Sequence, residues 1–212
     1  MRRPAMLLLL LLTAPLARAQ NTKLTSGGAA VLSGAPTGVI TSQSATDSTL
    51  TTTISFGEVG PANLNAYACF TQPLYLRASV PSSLRLAVTA SSFGASSGAL
   101  KASDIGIGFR NLAPGGPNAD LSTTSIVAGF ATDPCAAPKN MDGIPAYTAT
   151  LASLGSALPG TVILQSTGAI SPRGSLNSNS NKVLLDLRLA IAPQAFTVGP
   201  FSVTITLTLT NP

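Results

Sequence analysis

The sequence predicts an all-β protein, an antiparallel, immunoglobulin-like β-sandwich of roughly 8–10 strands. Three observations carry that prediction. The stretch FSVTITLTLT, Phe201 to Thr210, alternates apolar and hydroxyl side chains without a slip, as a strand with one covered face requires. Shorter alternating stretches, separated by Gly, Pro, Asn and Ser, recur along the chain. No window holds the apolar period of a helix over three turns.

Residues 1–19, MRRPAMLLLLLLTAPLARA, have the form of a secretory signal. Arg2 and Arg3 give a positive start, and Met6 to Leu12 a short apolar core. Ala17 and Ala19 are small residues at the two positions that signal peptidase reads, so cleavage is expected between Ala19 and Gln20. The run falls short of the about 20 apolar residues of a membrane span, and hydroxyls, Gly and Pro interrupt every later candidate. The mature protein is therefore expected to be exported without a transmembrane anchor: secreted, periplasmic or held at the cell surface.

Residues 20–48 form a Gly/Ser/Ala-rich lead, flexible or strand-forming, in which Val31-Leu32 and Val39-Ile40 each suit a short strand. Residues 49–212 are expected to make a single β-sandwich domain, since roughly 190 mature residues suffice for a full core and no linker divides them. Leu50 to Phe56 sets Leu50, Ile54 and Phe56 against Thr51, Thr53 and Ser55. Tyr67 to Phe70 is a short candidate; Leu74 to Val80 and Leu84 to Ala90 flank Pro81-Ser82-Ser83 and read as a hairpin. Asp104 to Arg110 puts Ile105, Ile107 and Phe109 on one face. Ser125 to Ala131, Tyr147 to Leu151 and Thr161 to Gln165 are further strand candidates, and Ser153 to Leu158 suits one helical turn. Val183 to Ile191 alternates again, with Asp186 and Arg188 on its polar face suited to a cross-strand ion pair. The closing strand is expected to pair with Val183 to Ile191 or with a strand of the facing sheet.

Charge narrows the function. Of 12 basic residues, Arg2, Arg3 and Arg18 leave with the signal, so nine face seven acidic ones. They are scattered, which speaks against nucleic-acid binding. Charged residues are 9% of the chain, against about 25% in ordinary globular domains. Ser and Thr must then supply much of the polar surface, which has little repulsion to oppose self-association. This suits a β protein with Thr-covered strand faces, or a subunit built to pack.

Catalytic signals are sparse. Gly94-Ala95-Ser96-Ser97-Gly98 matches G-x-S-x-G, but the chain has no His to complete a triad and no α/β pattern around it. A Ser–Lys dyad with nearby Lys101 has no supporting spacing. Gly106-Ile107-Gly108 lies in a strand pattern with no following helix to hold a phosphate, so its glycines are expected to admit a close neighbour. Asp133, Asn140 and Asp142 are weak calcium candidates, because their oxygens suit a hard cation, yet Asp-Pro and Asp-Gly are also ordinary turn formers. No cofactor is expected, and no enzyme activity. Cys69 and Cys135, in an exported chain, favour a disulfide; two buried free thiols are the alternative.

The end of the chain, GPFSVTITLTLTNP, resembles the final strand of bacterial cell-surface β-sandwich modules. It is similar to the WxL-type wall-binding domain, without the Trp that defines that family, and to pilin-like and spore-coat-type subunits exported for chaperone-usher assembly. The resemblance covers about a dozen residues and implies a bacterial surface protein. Two functions follow. The first is a structural or adhesive protein that joins a coat, pilus or matrix by strand addition, its partners being other surface proteins, copies of itself or envelope material. Residues 20–40 would donate the strand, or the closing strand would receive one. The alternative is a secreted ligand-binding module or hydrolase with a loop-borne site, for which Asp133, Lys139 and Asp142 would have to converge on a cleft.

Overall fold

The computed structural model describes residues 22–33, 38–45, 47–56, 68–78, 84–95, 100–137, 145–155, 160–168, 170, 176–192 and 201–210; for 38–45 and 84–95 only the backbone is described. The signal, its cleavage point between Ala19 and Gln20, and the 81–83 turn lie outside these residues. Eleven strands and no α-helix occur among the described residues, so no helix there is long and apolar enough to cross a membrane.

Two antiparallel sheets hold the strands. In one, β1 (Thr22–Ser26), β5 (Ala68–Ala78), β10 (Val183–Ile191) and β7 (Ile105–Pro114) lie in that order, and the short β2 (Val31–Ser33) continues beside β5 past the end of β1. In the other the order is β3 (Gly38–Ala45), β4 (Thr49–Phe56), β11 (Phe201–Thr210), β6 (Leu84–Ala95), β9 (Thr161–Ser166) and β8 (Thr124–Ile126). All-β, antiparallel architecture therefore holds, with more strands than the eight to ten expected because the lead itself supplies three.

Alternation decides which face is covered. In β11, Phe201, Val203, Ile205, Leu207 and Leu209 are buried while every intervening hydroxyl residue is partly exposed. β4 buries Leu50, Thr52, Ile54 and Phe56, and β10 buries Val183, Leu185, Leu187, Leu189 and Ile191. β7 contributes Ile105, Ile107 and Phe109, and all of these apolar residues join one core cluster fed by both sheets. Phe56 and Phe201 face each other across β4 and β11, their rings stacked with centroids 4.8 Å apart. Such a pair contributes about 1 kcal/mol beyond its buried area.

Of the two partners expected for β11, the structure has the second, strands of the sheet that does not contain β10. β11 is an interior strand of the second sheet, between β4 and β6, while both sides of β10 are taken by β5 and β7. Other pairings differ from expectation. β5 and β6 do not form a hairpin, because they lie in different sheets. The 125–131 segment is extended only through Ile126; Phe130 N–H then donates to the Val127 carbonyl (2.8 Å), and the resulting turn drops the Phe130 ring into the core. The 147–151 segment makes only a bridge from Thr150 to Gly106. Ser153 Oγ donates to the Thr150 carbonyl at 2.6 Å, which draws the chain into the 3-10 turn Leu151–Ser153 instead of a strand.

The two short candidates around Pro73 fuse into one eleven-residue strand, β5. The Pro73 carbonyl accepts from Gly27 N–H (2.8 Å), so its ring nitrogen faces the gap between β1 and β2, where no ladder bond is lost. Gln72, fully buried, bridges that gap through Nε2 to Ser26 Oγ at 3.0 Å and to the Pro73 carbonyl at 2.9 Å. At the edge, β1 is tied to the opposite sheet. Leu24 N–H donates to the Asp47 carbonyl between β3 and β4 (2.7 Å), and Thr22 Oγ1 to the Leu209 carbonyl (3.4 Å).

Candidate functional site

Two surfaces concentrate the polar chemistry of the fold. The first lies on the outer face of the β1/β5/β10/β7 sheet. Gly106 and Gly108 leave that face of β7 without side chains, so other groups settle directly on the backbone. A Cβ on Gly106 would come within 2.5 Å of the Tyr147 ring, and one on Gly108 would overlap the Thr132 carbonyl. The close-approach reading of these glycines therefore holds.

The chain over Gly108 is fastened twice. Cys135 forms a disulfide with Cys69 of β5, their Cα atoms 5.7 Å apart. Beside it, both Asp133 carboxylate oxygens are engaged. Arg110 Nη1 donates to Oδ2 at 2.9 Å, Arg188 Nε to Oδ1 at 3.2 Å, and Cys135 N–H to Oδ1 at 3.0 Å. Arg188 also donates to Thr71 Oγ1 on β5, so one guanidinium joins three segments. Asp186 accepts from Asn111 Nδ2 at 2.6 Å and lies 4.0 Å from Arg110 Nε. Asn111 has a φ of 57°, a left-handed conformation that Asn tolerates better than most residues. The expected cross-strand ion pair is made by Asp186 with Arg110 of β7, whereas Arg188 pairs with Asp133 in the loop.

This arrangement fastens the 131–137 segment to the sheet. Asp133, 16% exposed, is spent on two guanidinium groups, and those positive charges repel any cation from its oxygens. Asn140, Asp142 and Lys139 lie outside the described residues, so of the expected hydrolase or calcium site only the position of Asp133 is described. Among the described residues no group of three or more His, Cys, Asp and Glu side chains is placed to hold a metal. Of the G-x-S-x-G stretch, Gly94 and Ala95 end β6, and Ser96 to Gly98 lie outside the described residues. Lys101 starts a 3-10 turn, its N–H donating to Asp104 Oδ2 at 2.8 Å.

Of the loop expected from Asn111 to Asp120, residues 111–114 continue β7, and the stretch from Gly115 is pinned along its length. Gly115 N–H donates to the Lys182 carbonyl (2.9 Å), Asn118 N–H to the Ser180 carbonyl (2.9 Å) and Asp120 N–H to the Ile170 carbonyl (3.0 Å). Hydrogen bonds from Ser122 hold the Asp120 carboxyl below its ordinary range. A shallow cleft of about 180 Å³ is lined by Lys23, Asp47, Leu176 and Asn177, with Lys23 Nζ donating to Asn177 Oδ1 at 2.6 Å. It is below the about 300 Å³ at which ligand pockets begin.

Arg77 was not singled out by its sequence context, yet it is 6% exposed. It donates to the Ser178 carbonyl (3.2 Å), to Thr25 Oγ1 (3.3 Å) and to Asn179 Oδ1 (3.4 Å), fastening the 176–182 segment onto β5 and β1. Burial lowers its pKa, opposed by nearby Tyr75. A lone charge in an otherwise uncharged strand was the available signal.

The second surface is the outer face of β4 and β11. Register sets Ser202 opposite Ser55, Thr204 opposite Thr53, Thr206 opposite Thr51 and Thr208 opposite Thr49. Two of these pairs are closed by hydroxyl-to-hydroxyl bonds: Thr51 with Thr206 at 3.0 Å and Thr53 with Thr204 at 2.9 Å. Neither strand contains a charged residue.

Comparison with protein-family models, with curated proteins and with solved structures finds no match for this chain.

Proposed function

We propose that the protein is an exported structural or adhesive subunit, an immunoglobulin-like β-sandwich that joins a coat, pilus or matrix at the bacterial surface. The observation that carries this reading is the division of polar groups between the sheets. Arg110, Asp133 and Arg188 are engaged in fastening one of the molecule's own loops and Asp186 in joining β10 to β7, whereas the β4/β11 face is an uncharged hydroxyl array. Such a distribution serves packing better than turnover of a substrate. The signal-like residues 1–19 supply the route out of the cell, and the disulfide suits an oxidising destination.

Strand addition remains the mechanism, with its parts reassigned. The closing strand is interior and has no free side to receive a partner. The N-terminal lead is the better donor: β1 is only five residues long, sits at a sheet edge and fills the core with Leu24. Exchange of β1 between copies would preserve its contacts with β5 while linking the chains. The test is to purify residues 20–212 and a form lacking residues 20–40, and to follow both by light scattering and thermal unfolding. The proposal expects polymers from the first, and from the second a less stable protein that no longer polymerises. A first form that stays monomeric at high concentration, with a deletion that leaves stability unchanged, would overturn it.

A further inference from the structure

We infer that the outer face of β4 and β11 is a self-association surface, whose occupant is the same face of a second copy of this chain. This rests on the reading of the protein as an assembling subunit, and adds to the exchange of β1 at a sheet edge a second contact on a sheet face.

The first argument is charge. β3, β4 and β11 contain no charged residue, and the only one in β6 is Arg85, at the strand's end opposite Thr210. Two such faces can meet without burying an ion, whose desolvation would oppose the contact. The second is hydrogen bonding. Covering a free hydroxyl costs stability unless it finds a partner. Here one hydroxyl of each pair, Thr51 with Thr206 and Thr53 with Thr204, donates to the other, so part of that penalty is met within each copy.

The third argument is register. Ser44, Thr51, Thr206 and Thr89 occupy successive positions in one row across β3, β4, β11 and β6. A repeated row lets the same contact recur across the sheet and suits an isologous pairing, in which one patch meets itself. Four strands at about 4.8 Å spacing and eight residues at about 3.4 Å give a face of about 500 Å². Two copies would bury about 1,000 Å², the lower limit for a specific interface. The contact is therefore weak for one pair and becomes effective where many copies are held together, as in a coat.

Sedimentation velocity on residues 20–212 across a concentration series tests the assignment, with Thr206→Lys, Thr208→Lys and Thr206→Val compared after thermal unfolding has shown which are folded. Thr208 lies near the strand end, so its variant keeps the test available if Thr206→Lys does not fold. The wild type is expected to associate reversibly, either Lys variant to require at least tenfold higher concentration, and Thr206→Val, which takes this hydroxyl partner from Thr51, to associate less readily than the wild type but more readily than Thr206→Lys. Lys variants that associate like the wild type would overturn the face assignment and leave assembly through an edge standing. A wild type that remains monomeric throughout would overturn the face assignment and the assembly reading together.

Discussion

Removing the disulfide gives the most quantitative check on how this molecule is held together. Cys69 and Cys135 are 66 residues apart, and opening that loop frees the unfolded chain to explore conformations that the crosslink forbids. On the chain-entropy model the native state loses about 4 kcal/mol relative to the unfolded state. For a domain of this size that corresponds to roughly 8–16 °C in Tm. The loop itself should stay docked, because Asp133 still binds Arg110 and Arg188 and Cys135 N–H still caps onto its carboxylate. Urea unfolding of Cys69→Ala/Cys135→Ala, with free energy and slope fitted separately, measures the loss. A second variant, Asp133→Ala, leaves Arg188 only 12% exposed and without its carboxylate, and is expected to cost about 2 kcal/mol, partial exposure having been discounted. Since both fasten the same segment and Cys135 N–H bonds the Asp133 carboxylate, the two losses are expected to couple, each change still costing stability in the presence of the other. A disulfide-free protein that loses less than about 1 kcal/mol would refute the reasoning, as would an Asp133→Ala change that costs nothing once the disulfide is gone.

Other perturbations read other parts of the structure. Gly108→Val should destabilise by about 2–3 kcal/mol in urea unfolding, because its side chain would collide with the Thr132 carbonyl and Pro134 ring that rest on β7. Phe201→Ala removes a ring that is 3% exposed and stacked on Phe56; a loss of about 3–5 kcal/mol is expected in the same assay. Asp120 titrates below its ordinary value in the folded chain, so its contribution is present at neutral pH and fades as acid carries the solution down through that lowered value. Carboxyl NMR should find the depressed titration, and Ser122→Pro, which removes the donating N–H, should return it toward normal.

The strands were the legible part because their signal is local. In β4, β10 and β11 the backbone sends successive side chains to opposite faces, and burial of one face forces an apolar residue at every second position. Partnership is not local. β10 and β11 share the same period and are near in sequence, yet nothing in either says that one belongs to each sheet. The continuity of β5 through Pro73 is likewise not local, because the proline is accommodated where β1 and β2 leave a gap beside it.

The fastened loop shows the same limit. The disulfide was readable because two cysteines allow only one intramolecular pairing. The Arg110–Asp133–Arg188 network was not, because it gathers three isolated charges from segments separated by 23 and 55 residues. The glycines of Gly106-Ile107-Gly108 announced a close approach without naming Tyr147 or Thr132 as the neighbours. On the β4/β11 face, the hydroxyl character could be read from alternation, whereas the alignment of Thr51 with Thr206 depended on register.

Electron microscopy of the mature protein, collected from the cell surface and concentrated after purification, tests the central claim most directly. The account predicts ordered fibres or layers whose subunits begin at Gln20 by N-terminal sequencing. Single dispersed particles at every concentration, from a chain retained inside the cell with residues 1–19 intact, would contradict it.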